Sequence, residues 1–161
     1  MNTDALKEYG RPYVHGNRFS CRWACRRSAA VGWRGDGRLE VLLSSCAELH
    51  DGPPLNYGTL APVYWNADFA DQQGSVLGEE QCVIAGEHFF VRARLVLPIT
   101  DTDGEFDWGV WVSLSEASFH RMSAVWDNPE RVEEPPYFGW LSTALPLYEP
   151  TTVNLETKLH I

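Results

Sequence analysis

The chain has 161 residues, enough for one domain that buries a core without help from disulfides or a metal. Hydrophobic residues make up 44% and charged residues 22%, as in ordinary globular proteins, which excludes a collagenous or disordered polymer. No run approaches the roughly 18 consecutive apolar residues of a transmembrane helix, and the first residues lack the apolar region of a secretory signal. We therefore expect a protein of the cytoplasm that makes no membrane contact.

Charge is distributed unevenly along the chain. Residues 1–45 carry eight Lys/Arg against four Asp/Glu, whereas residues 46–161 carry five against eighteen, which together give the net charge of −9. We expect residues 46–161 to form a single globular domain. Because an acidic surface repels phosphate, we expect this domain to bind no nucleic acid. We expect residues 1–45 to be poorly ordered, although their arginines could contact RNA, an acidic partner or the acidic domain itself. These are Arg22, Arg26, Arg27, Arg34 and Arg38.

The first elements along the chain are short or ambiguous. Residues 39–43 form an apolar run that fits a helix or a strand, and residues 46–58 are rich in turn formers. Residues 59–77 are ambiguous as well. Within them, three aromatic side chains could share one helical face: Tyr64, Trp65 and Phe69.

A β-hairpin is the clearest prediction. Residues 82–84 indicate a short strand in which Cys82 is a small buried core residue, and a turn follows at residues 85–87. Residues 88–97 and 106–114 each alternate between apolar and polar side chains, so the two runs predict a pair of half-buried antiparallel strands. The polar side chains of the first run share one face: His88, Arg92 and Arg94.

One principal helix is predicted at about residues 115–126. Ser113 with Glu116 fits a capping box, Ser115 is an equally good N-cap, and apolar residues follow at helical spacing. Trp108 and Trp111 point to opposite faces of the preceding strand, so one of them lies outside the main core, under another element or in a surface groove. We expect this helix to cover it. The helical stripe consists of Phe119, Met122 and Trp126.

Two further strands complete the predicted fold. Residues 137–141 read as a short strand, and residues 152–161 alternate regularly up to the last residue. Because the alternating pattern is still incomplete at the last residue, we expect the chain to be a shortened member of a group of longer proteins. The fold class that follows is α+β: a mainly antiparallel sheet of four to five strands with one principal helix packed on it.

Four residues approximate the spacing of a zinc site. Zinc takes four sulfur or nitrogen ligands in tetrahedral geometry, and two short-range pairs separated by 20 residues could supply them. The first pair is spaced more loosely than a usual zinc knuckle, and no glycine follows either of its cysteines. The alternative is three unrelated thiols and a surface histidine. The candidate ligands are Cys21, Cys25, Cys46 and His50.

Several blocks of residues 46–161 resemble, in order, those of an uncharacterised bacterial domain-of-unknown-function family. The most specific block is FDWGVWVSLSEASF; others are CAELHDGPPLNYGTLAPVYW, HFFVRARLVLPI and YFGWLSTALPLY. That family opens with C-x-x-C-G-x-x-H, whose second cysteine and histidine match Cys46 and His50. Its first cysteine falls at Leu43 and its glycine at Ala47, so the resemblance implies a zinc knuckle that is degenerate here. Members of the family also continue past the position of Ile161. The resemblance implies no known activity.

These observations favour a non-catalytic binding or interaction module with an optional or degenerate zinc knuckle. No acid, base and nucleophile converge in the sequence pattern. The alternative is a metal-dependent or hydrolase-like enzyme that uses Cys46, His50 and His88. A third hypothesis is a structural partner in a protein complex, held through the acidic surface or the basic segment.

Overall fold

The computed structural model describes residues 30–33, 35–37, 39–42, 49–52, 54–100, 102–146 and 148–161. Within these ranges the chain forms ten strands, one α-helix and two short 3-10 helices. The helix α1 is Glu116–Ala124, and the 3-10 helices are Ala67–Asp71 and Pro129–Glu133. The strands are β1 (Ala30–Trp33), β2 (Leu39–Leu42), β3 (Leu49–Asp51), β4 (Asn56–Gly58), β5 (Val76–Leu77), β6 (Gln81–Ile84), β7 (His88–Pro98), β8 (Glu105–Leu114), β9 (Tyr137–Leu141) and β10 (Glu156–Leu159).

The strands form two sheets. β1, β2 and β3 make a three-stranded antiparallel sheet, and the other seven make a second sheet in the order β10-β9-β8-β7-β6-β5, with β4 paired to β8. The α+β class and the mainly antiparallel pairing are thus confirmed. The predicted count of four to five strands is too low for the described residues, because β1 to β5 are two to four residues long and too short to show alternation.

The chain divides into two compact units. The first contains the described residues of Ala61–Ala93 and Val110–Ile161, and the second those of His15–Leu60 and Arg94–Gly109. None of the helices in the described ranges has the length and apolar character needed to cross a membrane.

In the first unit, α1 packs on one face of the sheet. Of the two predicted caps, Ser115 is the one that caps the helix, by accepting a hydrogen bond from the Ser118 backbone N–H. Phe119 and Met122 are each 1% exposed, and the Phe119 ring lies 5.1 Å from that of Phe89 on β7. The helix therefore covers the sheet face to which Phe89 belongs.

The opposite face of the same unit is covered by the segment that precedes β5. Trp111 is fully buried and clusters with Cys82 and Phe90, and the partly buried Trp65 and Phe69 pack against this cluster. The expectation that α1 would cover the outlying tryptophan is wrong for Trp111. Neighbouring residues of a strand point to opposite faces, so Phe89 meets the helix while Phe90 meets the other layer.

β9 and β10 complete the first unit. They pair antiparallel, with Glu156 opposite Trp140 and Lys158 opposite Phe138. The predicted strand over residues 152–161 is shorter than expected, because Asn154 adopts a left-handed φ of 65° that ends the extended backbone.

In the second unit, the start of β8 pairs with β4 in parallel. Tyr57 of β4 packs against two aromatic rings of β8, with centroids 5.7 Å away for Phe106 and 5.6 Å for Trp108. Trp108 thus belongs to an aromatic cluster of its own. The backbone N–H of Ile99 bonds the carbonyl of Gly104 and closes the turn between β7 and β8, at the position predicted for the hairpin.

Candidate interaction surface

The predicted zinc ligands fall mostly outside the described residues. This holds for Cys21, Cys25 and Cys46, so the zinc site stays a prediction. His50 lies in β3, half-buried and opposite Val41 of β2. In the part of the chain that the structure describes, no group of three or more His, Cys, Asp or Glu side chains could hold a metal ion.

The structure describes two of the three residues of the alternative enzyme hypothesis, His50 and His88. His88 is exposed at the start of β7 in the first unit, whereas His50 belongs to the second unit. Cys82 is fully buried, and burial raises the pKa of its thiol to about 12, so it is not a thiolate nucleophile at neutral pH. Because Cys46 lies outside the described residues, the enzyme that would use Cys46, His50 and His88 stays a prediction.

Arg92, predicted on the polar face of β7, is half-buried beside the aromatic cluster. Its guanidinium carbon lies 6.0 Å from the centre of the Trp111 ring, and its side chain donates to the Glu79 carbonyl. Burial lowers the pKa of Arg92, and burial also raises the pKa of Glu80, while the attraction between the two opposes both shifts. These contacts join Arg92 to the Trp111 ring of β8 and to the turn between β5 and β6.

A second polar cluster lies in the second unit. The guanidinium of Arg94 bonds the Asp107 carboxylate at 2.5 Å, and the amide of Asn56 donates to the same carboxylate oxygen at 3.4 Å. The Asp107 side chain is 13% exposed and that of Arg94 58%. The sequence pattern places Arg94 on the polar face of its strand but does not identify its partner, since alternation does not determine strand register.

An exposed aromatic pair lies on the outer face of β9. Along this strand, Tyr137, Gly139 and Leu141 are buried, whereas Phe138 and Trp140 are 53% and 41% exposed. The two exposed rings meet edge to face, with centroids 5.2 Å apart and an interplanar angle of 83°. This is a favourable arrangement for aromatic rings, so the pair is pre-organised.

The exposed pair continues the sheet face that carries Trp111. Ser113 of β8 is the register partner of Trp140, and Ser113 lies two residues from Trp111 on the same face. Trp65 and Phe69 pack over the Trp111 cluster, whereas Phe138 and Trp140 stay exposed. We call the exposed part of this face the open aromatic face: Ser113, Phe138, Trp140, Glu156 and Lys158.

Both kinds of charge border the aromatic rings. Glu156 stands directly opposite Trp140, and Lys158 directly opposite Phe138, so each ring has one charged neighbour on β10. Tyr64, 45% exposed, donates a hydrogen bond to the Asn154 side chain at 2.6 Å. A rigid aromatic centre with a charged rim is the usual composition of a surface that binds another protein.

The sequence contains a signal for this surface. Residues 137–141 are predicted as a strand, without an assigned face. In a strand whose alternate positions hold a tyrosine, a glycine and a leucine, the intervening Phe138 and Trp140 must share the other face. Their exposure depends on where the covering segment ends, which the pattern does not reveal.

A family model matches residues 43–161, about three quarters of the chain. The family is described as uncharacterized protein conserved in bacteria, DUF2199. No curated protein and no solved structure matches the chain. The matched range includes the whole open aromatic face, together with Cys46 and His50.

Proposed function

Given that the chain belongs to this family of uncharacterised bacterial proteins, we propose that it is a non-catalytic interaction module that binds another protein through the open aromatic face. The observation that carries the proposal is the exposed, edge-to-face pair of Phe138 and Trp140. Large aromatic side chains dominate the binding energy of protein interfaces, and here two of them are exposed side by side on one strand.

The size of the pair supports binding. An aromatic side chain has about 150–250 Å² of surface that can be buried. The exposed fractions of Phe138 and Trp140 together therefore amount to about 200 Å² of apolar surface. Removing that area from water contributes about 5 kcal/mol. Association itself costs about 4–15 kcal/mol, so the rings can serve as the centre of an interface whose rim must supply the remainder.

A protein partner fits the charges better than a nucleic acid does. Exposed aromatic rings also stack on bases of single strands, but such sites lie in positively charged grooves. Residues 46–161 carry eighteen acidic and five basic residues, and of the basic residues Lys158 is the one that lies on the open aromatic face. The surrounding charge disfavours a phosphate backbone.

Peptide display tests the proposal before any partner has been identified. A random peptide library on phage is selected against the full chain, and the enriched peptides are measured against Trp140→Thr and Phe138→Thr. Threonine suits a strand and removes the ring. The matched control is Val132→Thr, since Val132 is 72% exposed in the 3-10 helix Pro129–Glu133.

We expect enriched peptides rich in apolar and aromatic residues. Their affinity falls about tenfold or more in the two β9 variants, as for hot-spot truncation, and is unchanged in the control. Enrichment of peptides that bind all four chains equally well contradicts the proposal, as does a selection that yields no binders.

We further propose that Cys21, Cys25, Cys46 and His50 form an optional zinc knuckle. The types and spacing of these residues support it. Metal content of the purified chain, with thiol titration before and after chelation, tests it. One zinc per chain with thiols that react only after chelation supports the knuckle, whereas a metal-free chain with freely reacting thiols contradicts it.

A further inference from the structure

Among the described residues, no strand pairs with the outer edge of β10. β10 stands at the end of the strand order of the seven-stranded sheet, with β9 as its neighbour. The backbone N–H of Leu141 bonds the carbonyl of Leu155 at 2.8 Å. Backbone groups of a strand alternate in direction, so those of Thr157 also face β9, whereas those of Glu156 and Lys158 face the edge.

The charges on this edge are complementary to themselves. In an antiparallel pair of two β10 strands with a two-fold axis at Thr157, Glu156 stands opposite Lys158 of the second copy, and Lys158 opposite its Glu156. An axis at Glu156 would oppose two glutamates, and an axis at Lys158 would oppose two lysines. Unlike charges directly across a strand pair are favourable and like charges are not, so charge selects the axis at Thr157.

The same register uses the free backbone groups. Because Glu156 and Lys158 face the edge, each can exchange both of its backbone hydrogen bonds with the opposed residue, which gives about four bonds across the pair. A shift of the register by one residue would oppose groups that face the edge with groups already bonded to β9. Backbone and side chains therefore favour one arrangement.

The open aromatic face continues across this edge. Trp140, Glu156 and Lys158 of the second copy would lie in one row across three strands spaced about 4.8 Å apart. Lys158 of the second copy would then stand two strand spacings, about 9.6 Å, from Trp140, with Glu156 between them. The aromatic pair would then border the contact that β10 makes.

We infer that the protein bound by this region is a second copy of the chain, joined through the edges of two β10 strands in antiparallel register about Thr157. This inference rests on the proposed function, since it names the partner of the open aromatic face. The interface is isologous, as in most cyclic dimers.

Charge reversal on the full chain tests the inference. Sedimentation velocity over micromolar concentrations measures the dimerisation of the wild type, Glu156→Lys, Lys158→Glu, the double variant and an equimolar mixture of the two single variants. Both side chains are exposed, so the reversals should leave the fold intact, which circular dichroism checks. Each single variant opposes like charges in both pairs, whereas the double variant and the mixture oppose unlike charges.

We expect wild type to dimerise, each single variant to dimerise about tenfold more weakly, and both the mixture and the double variant to regain wild-type affinity. Higher salt should weaken the wild-type dimer, because the charges are exposed. A monomeric wild type overturns the inference, and so does a dimer that survives both reversals or a mixture that regains nothing. Peptides whose binding depends on Trp140, found with a monomeric wild type, would overturn this inference alone and leave the interaction module standing.

Discussion

Gly139 should tolerate no side chain, because β9 lies against β8 at that residue. A Cβ added there would stand 2.5 Å from Val112 Cγ1, 2.6 Å from the Ser113 carbonyl oxygen and 3.1 Å from Leu114 Cδ2. The carbonyl cannot move without disturbing the ladder in which Leu114 pairs with Gly139. Overpacking of this kind costs about 1–3 kcal/mol, so we expect Gly139→Ala to lower the free energy of unfolding by about 2 kcal/mol.

Thermal and urea unfolding, followed by tryptophan fluorescence, measure this loss. For a chain of this length, 2 kcal/mol corresponds to a fall in Tm of about 4–8 °C. Gly32→Ala is the matched control, since Gly32 also lies in a strand and an added Cβ meets none of the described residues within 4 Å. We expect the control to be neutral or slightly stabilising. A Gly139→Ala chain as stable as the control would refute the close contact between β8 and β9.

Three further changes test the core and the surface network. Trp111→Ala should cost about 3–5 kcal/mol in urea unfolding, because it empties a fully buried site between two layers; a loss below about 1 kcal/mol would contradict that burial. Cys82 should resist thiol reagents in the folded chain and react after denaturation, and peptide mapping would detect its labelling. Labelling of Cys82 in the native chain would contradict the burial that raises the pKa of its thiol. Hydrogen bonds from Arg121 and Tyr137 lower the pKa of the Glu134 carboxyl from its ordinary 4.5. The ionised Glu134 therefore stabilises the folded chain above pH 4.5, and this contribution is lost as the pH falls through the lowered pKa. Wild type should therefore lose more stability than Glu134→Gln in acid, and parallel pH profiles of Tm would contradict this.

Alternation and capping predict the parts of the fold that depend on local pattern. The runs around Phe89 and Val112 are long enough to show a period of two, and Ser115 with the stripe after it marks a helix. The layer over Trp111 could not be predicted in the same way. Trp65 and Phe69 pack there from a segment whose order comes from a 3-10 turn and from contacts distant in sequence.

The surface was harder to predict than the core. Alternation with a period of two indicates which residues of a strand share a face. Whether that face is covered depends on elements elsewhere in the chain. Phe138 and Phe90 lie on the same face of the sheet; one is half exposed and the other is buried under the segment that holds Trp65. The zinc hypothesis depends on spacing alone and falls mainly outside the described residues.

β9 combines two requirements that can be separated by mutation. Its inner face needs a glycine at residue 139 so that the strand can approach β8, while its outer face carries the rings of Phe138 and Trp140. Trp140→Thr removes an exposed ring and its edge-to-face contact, which stabilises by about 0.5–1.5 kcal/mol, so we expect a small loss of stability and a large loss of binding. Gly139→Ala should do the opposite at temperatures where it stays folded. If Trp140→Thr instead unfolded the chain, the aromatic pair would belong to the core and could not be the binding surface.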